Sequence, residues 1–511
     1  MMIKKYVMIL SMTLCFIVHV SAQNEAQVQL KKDNLYCPSN LECNFLKVPK
    51  NYDKPDEDFV DVYYGIHKAN NIEKRKGILL LNFGGPGGAA VESTSMLVED
   101  YFPKEIVDSF DIVGMDPRGS GESVFADELR QCGNIEEAEC VALLETIAPF
   151  MGTNSVAKDM DRLRESLGEE VINYLGYSYG TRLGSIYTDL FPDRVRAFVL
   201  DSNMSPFLLD NEYINASMSE SLEDIFIYRQ GNERKIKMQT MINRSFYQDG
   251  YVSYDNYWVN EWGTSLVALL SIFNGDEYFV RASNNMLFNE DKLYLYHLFF
   301  GIGELLNKNR SSSDRLQQLK ALFSHHSILN DDDLEMERFE LMYTAVMCTD
   351  EPLDVITNEQ DIFTLYKNSG ELMGLPLHYL YHGLCQNWTA KKDTISYLHD
   401  IQSKLGNKKI LLLGLKYDTN TPFPWSEDMH QAYGKNSIFV EVDNIVDHGI
   451  SYRYQKFDCV NQRVTDYLLD PELSYEDKYC NFDENMSYFM PLKKGPKDFP
   501  IYKNMMMRLS R

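Results

Sequence analysis

Short apolar runs bounded by glycine and polar turns recur through the first 200 residues of the chain. Residues 60–66 alternate apolar and polar positions, as a half-buried strand does. Residues 78–83 (ILLLNF) form a continuous apolar run of strand length, the mark of a strand buried on both faces. Residues 110–115, 171–175 and 195–200 repeat that pattern. Between them, residues 155–167 place Leu163 and Leu167 on one face of a charged helix. Residues 183–190 continue a second helix, which Pro192 breaks. Strands alternating with helices predict an α/β fold, a mostly parallel sheet with helices on both faces.

From about Pro206 the rhythm changes. Tyrosine, methionine, asparagine and charged residues crowd a mainly helical stretch that runs to about residue 400. Its longest apolar-periodic pieces are 258–273 and 287–306, and it reads as an inserted helical cap. Its aromatic residues are read as core packing rather than as a ligand box. The strand rhythm returns with residues 410–413 and 437–442. Thr421, Pro422 and Trp425 open a helix between these strands. A loop over 443–447 follows, 459–468 form a last helix, and the rest is a covering tail. Residues 23–45 read as an irregular arm pinned to the core. The expected organisation is a signal peptide over 1–22, a first core part over 23–205, a cap over 206–400, and a second core part with its tail over 401–511.

The signal reading rests on Lys4 and Lys5, an apolar stretch over 7–20, and the small-residue pattern Val20-Ser21-Ala22, with Gln23 as the mature start. The stretch is short for a membrane span, and no later segment has the build of one, so no stable membrane insertion is expected after cleavage. Localisation is therefore secreted or periplasmic. The chain carries 50 basic and 75 acidic residues, a formal charge of −25, which makes nucleic acid and anionic membranes poor partners. Removing Cys15 with the signal leaves eight of nine cysteines, an even count that favours disulfides. The local candidates are Cys37–Cys43, Cys132–Cys140, Cys348–Cys385 and Cys459–Cys480, with the connectivity left open. No cysteine/histidine cluster has the spacing of a zinc site, and His325-His326 reads as a surface pair.

The chemistry gathers at predicted strand ends. Gly176-Tyr177-Ser178-Tyr179-Gly180 follows a buried run directly and has the G-x-S-x-G form of a nucleophile elbow. Its glycines leave room for a tight strand-to-helix turn with Ser178 at the apex. Gly84-Gly85-Pro86-Gly87-Gly88 follows residues 78–83, so backbone N–H groups can approach a reacting centre closely. It reads either as such a loop or as a plain turn; no G-K-[S/T] follows it, so it is not a phosphate loop. Asp116 and Arg118 read either as a brace for these loops or as a solvated turn pair. Asp418 lies beyond the strand at 410–413 and His448 beyond the strand at 437–442. Ser178, Asp418 and His448 thus stand in the chain order of a serine hydrolase on an α/β sheet: nucleophile, acid, histidine. His448 would be the general base, Asp418 would hold its tautomer, and the N–H groups of Tyr179 and Gly85 would form the oxyanion hole. No cofactor is required by this chemistry.

These motifs resemble the tripeptidyl-aminopeptidase-like branch of the proline iminopeptidase family, serine peptidases of the α/β-hydrolase fold. The glycine loop from Asn82 to Gly88 is similar to that family's Asn-Pro-Gly-Gly-Pro-Gly loop, and residues 116–123 match its D-x-R-G-x-G-x-S box. Asp161-Arg162-Leu163-Arg164, Leu167-Gly168, the elbow through Gly184, Phe191-Pro192 and Val199-Leu200-Asp201 also fit. So do Gly414, Asp418, Thr421-Pro422, Trp425 and His448-Gly449. The resemblance spans about 45–205 and 345–485 and leaves the cap uncovered. Phe83, Ala89-Ala90 and Asp201-Ser202-Asn203 depart from the family pattern and bear on the substrate more than on the mechanism. The resemblance implies a secreted exopeptidase acting on oligopeptide substrates, releasing short peptides, often tripeptides, from free N-termini. The substrate ammonium then needs a carboxylate, for which Asp350 and Glu351 beside Cys348 are candidates; an ordinary solvated or capping pair is the other reading. A carboxylesterase with the same triad, or a silent binding protein on this scaffold, are the alternatives. Oligomeric state is not legible.

Overall fold

The computed structural model describes residues 36–482 apart from 133–136, 208–210, 234, 237–251, 255–256, 260–330, 351–384, 386–388, 397, 399, 419 and 455. The signal reading, the His325-His326 pair and most of the two apolar-periodic cap pieces lie outside the described residues.

A nine-stranded sheet carries the fold. Its strands are β1 (Glu42–Pro49), β2 (Phe59–His67), β3 (Ile78–Asn82), β4 (Asp111–Met115), β5 (Ile172–Tyr177) and β6 (Val195–Asp201), then β9 (Ile410–Asp418), β10 (Ser437–Asp447) and β11 (Lys478–Asn481). A separate hairpin supplies β7 (Val252–Tyr254) and β8 (Tyr257–Val259). The order across the sheet is β1-β2-β4-β3-β5-β6-β9-β10-β11. β1–β2 and β2–β4 are antiparallel, and the remaining pairs are parallel.

The apolar runs are explained by two cores, one on each face. Ile78, Leu80, Val113, Tyr174, Leu200 and Leu412 join one core, whereas Leu79, Leu81, Ile112, Leu175, Val199 and Leu411 join the other. Successive side chains on a pleated strand point to opposite faces, and helices cover both, so no position in these runs can be polar at low cost. Burying each such leucine, valine or isoleucine is worth about 1.5–3 kcal/mol. The helices include Thr153–Ser166, Tyr179–Leu190, Phe423–Tyr433 and Asp458–Leu469.

Four local readings are corrected. The N-terminal arm becomes regular at Glu42, because Glu42–Pro49 pairs along its full length with β2. The loop expected over 443–447 belongs to β10, which breaks register between Val442 and Val446 and resumes with Val446 opposite Tyr417 and Asp447 opposite Asp418. The tail adds β11 as a parallel edge strand, tied to the helix before it by Cys459–Cys480. The cap contains the hairpin β7–β8 besides its helices Asn211–Gln230 and Asp331–Asp350. The sulfurs pair as Cys37–Cys43, Cys132–Cys140, Cys348–Cys385 and Cys459–Cys480. Among the described residues no single helix is long and apolar enough to cross a membrane.

Candidate active site

The parallel strands bring their C-terminal ends to one edge of the sheet, where ligands bind in open α/β folds. Ser178 follows β5, Asp201 ends β6, Asp418 ends β9 and His448 follows β10. Register does the gathering: Tyr177 lies opposite Asp201, and Asp447 opposite Asp418.

Ser178 has φ 57° and ψ −125°, a backbone conformation that side-chain-bearing residues rarely hold. Its N–H donates to the carbonyl of Asp201 at 3.0 Å, and Thr181 N–H donates to the Ser178 carbonyl at 2.8 Å. The flanking glycines are needed for space. A Cβ on Gly176 would stand 2.6 Å from the Gly180 carbonyl oxygen, and one on Gly180 would stand 2.9 Å from the Asn82 carbonyl oxygen. The helix Tyr179–Leu190 begins at the next residue, so the Tyr179 N–H belongs to the first turn, whose donors have no partner within the helix.

The glycine loop lies directly on this turn. A Cβ on Gly84 would stand 2.6 Å from Tyr177 O, 2.8 Å from Ser178 Cβ and 3.2 Å from Tyr179 N. Gly84, Gly85 and Gly87 all have positive φ, and the Gly85–Pro86 peptide is cis. Asn82 Oδ1 accepts from Gly84 N–H at 3.0 Å, tying the loop to the end of β3.

Asp418 and His448 are both buried, and His448 Nδ1 is 2.7 Å from Asp418 Oδ1. The same oxygen accepts from the N–H groups of Asn420 and Thr421, each at 2.8 Å, which anchors the carboxylate before the imidazole reaches it. Since Asp418 accepts, Nδ1 carries the proton and Nε2 is left as the basic nitrogen. The turn bearing His448 is held beside the elbow. Gly449 N–H donates to Ser202 Oγ at 2.7 Å, and Tyr177 Oη donates to the Ser451 carbonyl at 3.0 Å.

Asp116 and Arg118 are both braces, by separate routes. Asp116 accepts from Ala90 N–H at 2.7 Å and Val91 N–H at 2.9 Å, fixing the helix that follows the glycine loop. Burial pushes its carboxyl up to about 6, against those hydrogen bonds and the charge of Arg338. Arg118 is fully buried and does not reach across the turn. It grips Asp159 at 2.7 and 2.8 Å and donates to the carbonyls of Pro49, Lys50 and Phe150.

Asp350 is also fully buried rather than solvated. Its carboxylate accepts from Thr153 N–H at 2.8 Å and from Thr153 Oγ1, which also meets Tyr179 Oη at 2.5 Å. The end of the helix Asp331–Asp350 is thereby joined, through Thr153, to the residue after Ser178. Glu351 lies outside the described residues. Two contributions were missed from sequence: Thr153 sits in no motif, and Asp201 was noted only within the family pattern, because the side-chain partners of both lie far away in the chain.

Comparison with known proteins agrees with this geometry. The family model of the alpha/beta hydrolase fold matches residues 77–382, and that of TAP-like proteins matches residues 377–480. A tripeptidyl aminopeptidase of Streptomyces lividans is 25% identical over 479 residues, covering 87% of this chain and 84% of its own. The serine protease Hip1 of Mycobacterium tuberculosis is 36% identical over 195 residues, 33% of this chain and 37% of its own. Carboxylesterase B of Mycobacterium tuberculosis is 34% identical over 190 residues, 32% of this chain and 36% of its own. With the model of the fold matching more than half its length and the second model continuing to β11, the chain belongs to the α/β-hydrolase family, in its TAP-like branch.

Proposed function

We propose that this serine hydrolase is a secreted or periplasmic exopeptidase that releases short peptides, tripeptides foremost, from the free N-termini of oligopeptides. The observation that carries the reading is the buried 2.7 Å contact of His448 with Asp418, on a turn bonded to the Ser178 elbow through Tyr177. Likeness to a tripeptidyl aminopeptidase over 87% of the chain supports the substrate class. The four cysteine pairs support an oxidising compartment.

In this mechanism His448 Nε2 takes the proton from Ser178 Oγ as that oxygen attacks the scissile carbonyl carbon. Negative charge then builds on the carbonyl oxygen and is met by the N–H groups of Tyr179 and Gly85. Asp418 holds the imidazolium that forms. The tetrahedral species collapses, the C–N bond breaks, and His448 passes its proton to the departing amine. A water molecule, deprotonated by His448, then splits the ester on Ser178 and releases the short peptide.

An exopeptidase of this kind must pair the substrate ammonium with a carboxylate, because an unpaired buried charge is expensive. Asp350 and Glu351 are the candidates at the cap's return. The commitment of Asp350 to Thr153 favours Glu351 as the direct partner, with Asp350 setting the segment's position. Matched tripeptide anilides, one with a free and one with an acetylated N-terminus, test the reading beside a short-chain ester. Acetylation removes about 2–5 kcal/mol of charge pairing, so kcat/KM should fall by at least about 30-fold. Equal cleavage of the two peptides, with the ester hydrolysed faster, would make the protein an esterase instead.

A further inference from the structure

We infer that Asp201 is a positioning residue for catalysis: its main chain and its carboxylate together lock the His448 turn to the Ser178 elbow. The inference rests on the reading of Ser178 and His448 as nucleophile and base. Asp201 ends β6 between the elbow strand and the strand that carries Asp418. Its main chain serves the nucleophile, since its carbonyl accepts the Ser178 N–H at 3.0 Å. Its side chain serves the base. Oδ2 accepts from Ile450 N–H at 3.0 Å, Ser451 N–H at 2.7 Å and Ser451 Oγ at 2.6 Å. These donors lie two and three residues beyond His448. One residue therefore sets the distance between two groups that are far apart in the chain.

The carboxylate is costly for a purely structural tie. Asp201 is fully buried, and Oδ1 has no hydrogen-bond partner among the described residues. Burial raises its pKa, while the Ser451 and Ile450 donors and the charge of His448 favour the ionised form. Tyr177, pushed far up by its own burial and by Asp201, stays neutral through the working range.

The test is Asp201→Asn, which keeps the shape and an acceptor oxygen but removes the charge. Turnover should fall about 10-fold or more with KM within about twofold. A change confined to substrate binding would instead raise KM at unchanged kcat. Ser451→Ala removes a donor but no charge. It should lower kcat several-fold with KM little changed, and it tests the positioning role if Asp201→Asn does not fold. Wild-type kcat in Ser451→Ala, or a folded Asp201→Asn with wild-type kcat, would overturn the inference. Fluorophosphonate labelling of the wild type separates the two levels. Labelling at Ser178 together with a silent Asp201→Asn sinks only the role of Asp201, whereas a wild type unlabelled at Ser178 sinks the underlying reading.

Discussion

Gly84→Ala should cripple turnover while leaving the fold intact. Gly84 holds φ +80°, which costs an alanine about 1–2 kcal/mol. The larger effect is positional. The new Cβ would lie 2.6 Å from Tyr177 O and 2.8 Å from Ser178 Cβ, both well inside contact distance, and 3.2 Å from Tyr179 N. Relief requires the glycine loop and the elbow to part by several tenths of an ångström. That motion separates the N–H groups of Gly85 and Tyr179, which must converge on one oxygen. Losing one oxyanion donor costs about 2.7–4 kcal/mol, or about 10²–10³ in kcat. Steady-state kinetics on a tripeptide anilide, with thermal unfolding as the control, measure this. We expect kcat down about 100-fold or more, KM little changed, and a Tm drop of only a few degrees. A folded Gly84→Ala with kcat within threefold of wild type would refute the close apposition of loop and elbow as the source of the oxyanion hole.

Two further outcomes follow from the braces. Arg118→Met leaves Asp159 buried without its cation and should cost about 3–5 kcal/mol in urea unfolding; the double variant Arg118→Met/Asp159→Leu should recover part of that loss, and an additive double variant would contradict the pairing. Asp116 has its folded pKa raised from 3.8 to about 6, so its ionisation opposes folding above about pH 6 and the cost disappears as pH falls below 4. Wild type should therefore gain on Asp116→Asn by up to about 3 kcal/mol between pH 7 and pH 4 in denaturant unfolding, and a pH-independent difference would contradict the buried, ionised carboxylate.

The parts of this molecule that were legible in its sequence are those whose physics is local. Residues 78–83 read as a strand buried on both faces, and in β3 Leu79 and Leu80 enter opposite cores. The elbow was legible because the turn at Ser178 demands glycines at fixed offsets, and it occupies the strained conformation that they permit. Asp418 and His448 were placed by chain order and by the strands before them. The misses are non-local or weakly apolar. β11 buries Cys480 and little else, so no hydrophobic run announces it. The end of β10 passes through Asp443 and Asn444, residues that favour turns, and the register break at that point hides its continuation to Asp447. Asp201 carried no signal beyond the family pattern, because its donors are 249 and 250 residues away. Asp350 read either as a substrate anchor or as a solvated or capping acid, because its binding to Thr153 depends on the chain folding back over 197 residues.

The site is tested most directly by labelling the mature protein with a fluorophosphonate and mapping the adduct by peptide mass spectrometry. A single adduct on Ser178, abolished in Ser178→Ala and slowed by about 10²-fold or more in His448→Ala, is the predicted result. An adduct on another residue, or labelling of Ser178→Ala at the wild-type rate, would contradict Ser178 as the nucleophile.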